Sequence, residues 1–279
     1  MENLGYYNGR TGLINELSVP ITDRAFYFGD GVYDAVMCRN NIPYLLSEHI
    51  DRLYTNCKTL DIIPPVCKKE LSDTINELVK KVDGEEKFVY FHISRGSGLR
   101  NHSYTEGEGN LCIMIKPQKV DNVYEKMDTV TCEDKRYLYC NIKTLNLLPS
   151  VLTAQSAASE GCEEAILHRG EAVTECSHSN VSILKNRELI THPSDCYILP
   201  GVTRAHLILC ARKNNLKVSE RVFTLKELFE ADEIIVTSSS KMARGVRTVD
   251  KIRVGGKDEA TLSLLRDSLY KSYLNATNI

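Results

Sequence analysis

The feature that most constrains this chain is a change of period within its first 117 residues. Ile50, Leu53, Tyr54, Cys57 and Leu60 recur at helical spacing after Ser47, whose hydroxyl is placed to cap that helix. A second helix is expected from about Pro65, with Leu71, Ile75, Leu78, Val79 and Val82 along one face. The period then falls to two. In KFVYFHIS, Val89, Phe91 and Ile93 alternate with Tyr90, His92 and Ser94, and LCIMIKP follows as another strand. Helices that bury one stripe against strands that bury one face make an α+β unit.

The polar stretch QKVDNVYEK after Pro117 has no apolar period and reads as a break between domains. The expected organisation is a smaller N-terminal α+β domain over 1–118, a linker at 119–122, and a larger C-terminal domain of β-strands with flanking helices over 123–279. In the second domain CNIKTLN reads as an apolar strand ending on Lys143, followed by a helix from Leu147 to Ser159 with Pro149 in its first turn and Gly161 beyond its end. Strands are expected at EAILH, EAVTE, NVSIL and ELITH, with turns at Arg169-Gly170 and Lys185-Asn186. A helix from Val202, a short helix at LKELFEA, the strand EIIVTSS and a helix in TLSLLRDSLYKSYL complete the chain.

Composition removes several classes of function. Lys+Arg 35 against Asp+Glu 37 leaves a net charge of -2 with no basic block, so no nucleic-acid partner is expected. No window approaches about 18 consecutive apolar residues, and the first residues lack a basic then apolar leader. A cytoplasmic protein without a membrane partner is the expectation. The ten cysteines are scattered without a CxxC, and the seven histidines lack a paired spacing such as HExxH. Reduced thiols and no metal site are expected, with Cys176 singled out only for its neighbours.

Four segments carry chemistry-bearing residues. DRAFYFGDGVYDAV sets Gly29 and Gly31 before a strand on which Val32 and Tyr33 face opposite sides. Lys143 ends an apolar stretch, and Glu175 precedes a run of small polar residues in EAVTECSHSN. GVTR opens a helix at 201–204 and TSSS ends a strand at 237–240, both offering N–H groups and hydroxyls suited to a phosphate. Each alone has an ordinary reading as a turn, a snorkelling lysine or a helix cap.

Taken together, DRAFYFGDGVYDAV, EHIDRLY, the lysine of IKTLN, the TE…SN turn, LPGVTR and VTSSS resemble, in order and over nearly the whole chain, the fold-type IV pyridoxal-phosphate (PLP) enzymes, the class IV aminotransferases. The resemblance implies that fold and that cofactor. It implies that Lys143 joins the cofactor aldehyde and carries the proton between the substrate α-carbon and the cofactor. Glu175 would pair with the pyridine nitrogen, and Arg52 would hold the phosphate with Val202, Thr203, Ser238 and Ser239. Leu199 would pack on the ring face.

Within the family, Arg100 and His102 in RGSGLRNHSY resemble the carboxylate trap of the D-amino-acid aminotransferases, supplied by the neighbouring subunit and working with Tyr33. That likeness implies a homodimer with shared active sites, moving the amino group of a D-amino acid such as D-alanine to 2-oxoglutarate to give D-glutamate. The rivals are 4-amino-4-deoxychorismate lyase and the branched-chain L-aminotransferases on the same scaffold, and, from another class, a PLP-binding protein without turnover. Three departures stand out: His178 and Ala35 where the pattern has Ser and Val, and a basic run in which Lys241, Arg244 and Arg247 are expected near the substrate mouth, favouring acidic substrates.

Overall fold

The structure is a computed structural model that describes residues 1–104 and 107–278. By contacts the chain divides into two compact units, one of Met1–Lys119, Ile142–Asn146 and Asn275–Ile279, the other of Val120–Asn141 and Leu147–Leu274. The sequence expectation was a single cut at 119–122. The differences are the short segment with Lys143 and the C-terminal Asn275–Ile279, both of which count with the first unit.

In the first unit β1 (Leu4–Tyr7), β2 (Arg10–Gly12), β3 (Gly31–Arg39), β4 (Ile42–Pro43), β5 (Glu86–Ser94) and β6 (Asn110–Pro117) form, among the described residues, a six-stranded sheet in the order β2-β1-β6-β5-β3-β4. Helix α1 (Arg24–Phe28) precedes β3, and α2 (Leu46–Thr59) and α3 (Lys68–Leu78) follow β4. The period-two pattern of β5 places Val89, Phe91 and Ile93 in the core beside Val32 and Val36 of β3, where Ile50 and Leu53 of α2 and Leu71 and Ile75 of α3 complete the apolar cluster. Ser47 is not the cap of α2. The helix begins one residue before it, behind Leu45 in the left-handed region (φ +57°), whose carbonyl accepts from Glu48 and His49 N–H.

In the second unit the strands are β7 (Met127–Glu133), β8 (Glu164–Arg169), β9 (Ala172–Cys176), β10 (Asn180–Lys185), β11 (Glu188–Thr191), β12 (Lys217–Glu220), β13 (Phe223–Thr224), β14 (Glu233–Ser238), β15 (Met242–Val249) and β16 (Ile252–Arg253). They form one mixed sheet in the order β12-β11-β10-β14-β15-β7-β8-β9-β13, with β16 on β15. Its helices are α4 (Leu148–Ser159), α5 (Val202–Lys213), α6 (Leu225–Glu230) and α7 (Glu259–Ala276). The core holds Ile166, Val173, Val181, Ile183, Ile234 and Val236. The β10–β11 turn is centred on Asn186 and Arg187, both at positive φ, one residue beyond the expected Lys185-Asn186 pair. β15, in the basic run MARGVRTV, was not legible as a strand.

Candidate active site

In the first unit the lysine segment is not a strand. It lies along the start of β3, where Tyr33 N–H donates to Lys143 O at 2.9 Å, Leu145 N–H donates to Gly31 O at 3.0 Å, and Val32 bridges Thr144. The two glycines explain why this fits. A Cβ on Gly31 would stand 2.8 Å from both Ile93 O and Leu145 Cδ1, and Gly29, at φ +58°, would bring one within 3.0 Å of Asn146 Oδ1. Lys143 Nζ sits 4.2 Å from the centroid of the Tyr33 ring. Among the described residues no carboxylate lies within ion-pair distance of that amine. Tyr33 stacks on Tyr90 at 5.5 Å, and His92 below it is pushed down to about 4 by burial, which keeps its ring neutral.

The next residue of β3, Asp34, faces the other way, toward α2. Arg52 grips it with Nε to Oδ2 at 2.9 Å and Nη2 to Oδ1 at 2.8 Å, and His49 Nδ1 lies 2.7 Å from Oδ1. Burial acts to raise the Asp34 pKa, but Arg52 and His49 outweigh it and hold the carboxyl well below the usual range. Arg52 is thus an oriented guanidinium.

Arg100 and His102 converge on one aromatic ring, with the Arg100 guanidinium carbon 5.1 Å and the His102 ring 5.2 Å from the centroid of Phe28. Their loop is anchored by Arg24, which donates to Asn101 O at 2.7 Å and pairs with Asp30 at 2.8 Å.

In the second unit Glu175, at the end of β9, is buried and strongly engaged. Its Oε2 accepts from Asn180 Nδ2 at 2.8 Å and from Leu199 N–H at 3.0 Å, while Arg136 Nη1 donates to Oε1. Arg136 is clamped in turn by Asp134, Nε to Oδ1 and Nη2 to Oδ2 each at 2.9 Å, and donates to Tyr197 O at 3.0 Å. Burial works to raise Asp134 and to lower Arg136, but their mutual pairing prevails: the carboxyl is lowered and the guanidinium raised. Sequence reasoning missed both residues; the trace they left is the i, i+2 spacing in EDKR.

Asn180 joins the remaining pieces. Its Nδ2 also donates to Leu199 O at 2.9 Å, its backbone lies opposite Thr237 of β14, and a Cβ on Gly201 would collide with its Oδ1 at 2.0 Å. Glu175, Leu199, the start of α5 at Val202 and Thr203, and the end of β14 at Ser238 and Ser239 therefore meet at one end of this sheet. α5 has no side-chain cap, so its first N–H groups are available to an anion. Ser238 Oγ accepts from Lys241 N–H at 3.1 Å, which leaves its own hydrogen to donate, and Thr237 Oγ1 is buried without a hydrogen-bond partner among the described residues. Within the second unit, a carboxylate held by donors, a helix N-terminus and serine hydroxyls fit the ring nitrogen and phosphate of PLP, and within the first unit Lys143 offers an amine of the kind that its aldehyde needs.

The basic run does not behave as expected. Arg244 is buried on Glu163 at 2.7 Å, Arg247 pairs with Asp128 from Nε at 3.0 Å, and Lys241 lies 3.4 Å from Glu164. All three charges are met by carboxylates within the unit. Cys176 is buried, and burial raises its thiol well above the ordinary value.

Residues 31–249 match the family model of amino-transferase class IV. The chain is 40% identical over 245 residues to the D-alanine aminotransferase of Listeria monocytogenes, covering 86% of this chain and 85% of that one. The branched-chain amino acid aminotransferase from Escherichia coli shares the fold at a TM-score of 0.88 and 20% identity, covering 100% of this chain and 96% of that one. A putative 4-amino-4-deoxychorismate lyase from Legionella pneumophila does so at 0.85 and 22% identity, covering 92% and 96%. The chain belongs to the class IV aminotransferases.

Proposed function

We propose that this protein moves the amino group of a D-amino acid, such as D-alanine, to 2-oxoglutarate, giving a 2-oxo acid and D-glutamate. The cofactor is PLP. When bound it supplies an aldehyde for amine exchange and a ring that withdraws electrons from the substrate α-carbon. Lys143 is assigned to the aldehyde, with its released amine carrying the proton to and from that carbon. Glu175 keeps its negative charge because three donors favour the ionised form, and a fixed anion holds a proton on the ring nitrogen. Leu199, tied to Glu175, is assigned to the ring face. Arg52, Val202, Thr203, Ser238 and Ser239 are assigned to the phosphate, and Tyr33, Arg100 and His102 to the substrate.

The observation that supports the D-specific reading is that Arg100 and His102 both lie against the Phe28 ring, which gathers two nitrogen donors of one loop for a carboxylate. The loop is an exposed one, with Leu99 84% exposed, and Phe26 of α1 is 63% exposed. Apolar side chains left open in this way suit a subunit contact, and so do Leu148, Val151 and Leu152 on α4. A homodimer in which each subunit lends Arg100 and His102 to the other is therefore part of the proposal. Cytoplasmic location is proposed on the ten free cysteines, which suit a reducing compartment.

The test is to add D-alanine, L-leucine and 4-amino-4-deoxychorismate separately to the purified holoenzyme, without an oxo acid. Conversion of the visible cofactor band by D-alanine alone is the expected result. Pyruvate from the third compound with no response to D-alanine would replace the reading with a lyase, response to L-leucine alone with a branched-chain enzyme, and a band that no donor changes with a binding protein.

A further inference from the structure

Glu164 begins β8 with its side chain fully buried, and a closed ring of polar groups surrounds it. Its Oε1 accepts from Ser177 Oγ, and its Oε2 accepts from Ser179 Oγ at 2.9 Å and Lys241 Nζ at 3.4 Å. Lys241 Nζ also lies 2.7 Å from His178 Nε2. An ammonium group has donors only, so Nε2 must accept, and the imidazole must be neutral with its hydrogen on Nδ1. The rest of the ring agrees: Nδ1 lies 2.9 Å from Ser177 Oγ and 3.3 Å from Glu164 Oε2, both acceptors for that hydrogen.

The contact joins two segments with separate tasks. His178 stands in the turn between Glu175 and Asn180. Lys241 directly follows the serines that end β14 and fixes Ser238 through its own N–H. We propose that His178 is a positioning residue for the cofactor: through Lys241 it holds the serine loop in register with the Glu175 turn, and it does so only while its ring is neutral. The inference rests on the assignment of those two segments to the cofactor.

The charged groups facing the ring include Lys241, from the loop after β14, and Glu164, from β8. The His178 side chain is 51% exposed, so protons reach it from solvent. Once protonated, Nε2 becomes a donor against an ammonium at hydrogen-bond distance, and the two must part. Lys241 then keeps Glu164, which reaches the turn only through Ser177 and Ser179, and the loop's direct contact with the turn is gone.

The experiment measures PLP release from the holoenzyme, by gel filtration and the visible band, between about pH 5 and pH 8. The proteins are the parent, His178→Gln, His178→Leu and Lys241→Met. The glutamine amide oxygen accepts from Lys241 but does not titrate. The parent should release PLP roughly three- to ten-fold faster at the acid end. His178→Gln should match the parent at the alkaline end and lack that transition. His178→Leu and Lys241→Met should be fast throughout. A transition kept in His178→Gln, or slow release from folded Lys241→Met at the alkaline end, overturns the proposal. A Ser238→Ala, Ser239→Ala double variant separates the two levels of argument. Unchanged PLP retention there removes the phosphate assignment and this inference with it, whereas weakened retention there beside parent-like His178→Leu refutes the tie alone.

Discussion

Replacing Glu175 with Gln alters one atom, yet the surroundings make it a severe change. Arg136, Asn180 and Leu199 all donate to the carboxylate, which accepts on both oxygens. A carboxamide accepts on one side only. With its oxygen toward Arg136, its NH2 faces the Asn180 amide and the Leu199 N–H; turned over, its NH2 faces the guanidinium. Asn180 cannot rotate to relieve this, because the same Nδ2 donates to Leu199 O at 2.9 Å. The loss is a charge-assisted bond of about 1.5–3 kcal/mol together with a buried donor left unmet, for a sum near ~3 kcal/mol. Spread over a unit of this size, that lowers Tm by about 6–12 °C. The cofactor-free variant, followed by circular dichroism, isolates this term. In the loaded enzyme, removing the anion opposite the ring nitrogen should slow conversion of the cofactor band by D-alanine on the order of 10²-fold. A cofactor-free Glu175→Gln protein melting within about 2 °C of the parent would refute the donor count, and an unchanged conversion rate would refute the role given to Glu175.

Gly31→Ala sets a Cβ 2.8 Å from the carbonyl of Ile93, which as strand backbone cannot yield, so a loss of about 1–3 kcal/mol is expected. Because the same Cβ presses on Leu145, borohydride trapping of PLP on Lys143 should also fall, and parent-like melting with full trapping would sink the argument. Asp34 has a folded pKa below its unfolded one, so its stabilisation is complete above the unfolded value of about 3.9 and is lost as pH falls through the folded value. Asp34→Asn should be less stable at neutral pH and show a shallower decline in acid; melting curves that fall in parallel with the parent's from neutral pH downward would contradict this. Arg100 is exposed, so Arg100→Ala should leave Tm in place while raising KM for D-alanine on the order of ten-fold. An unaltered KM removes the trap.

What the sequence disclosed and what it hid divide along one physical line. Apolar periods announced α2 and β5, because burial of one face depends on local spacing alone, while turn residues between short runs announced β8 to β11. The start of α2 escaped because a left-handed Leu45, set by the hairpin before it, takes the place of a hydroxyl cap. The glycines of DRAFYFGDGVYDAV were legible as a tight turn, but their cause, the Leu145 and Asn146 side chains, lies more than a hundred positions along the chain. The same segment made Lys143 look like a residue of the second half. Charges were hardest to read. Whether Arg244 or Arg247 is solvated or paired depends on Glu163 and Asp128, each at least 81 positions away, and no local pattern reports that distance. The motif TE…SN was visible from the first, but only pairing across strands reveals why its last residue matters. Asn180 is the group that lets the Glu175 carboxylate, an uncapped helix and a serine loop share one end of a sheet, so the site's legibility ends where its geometry starts to depend on partners remote in sequence.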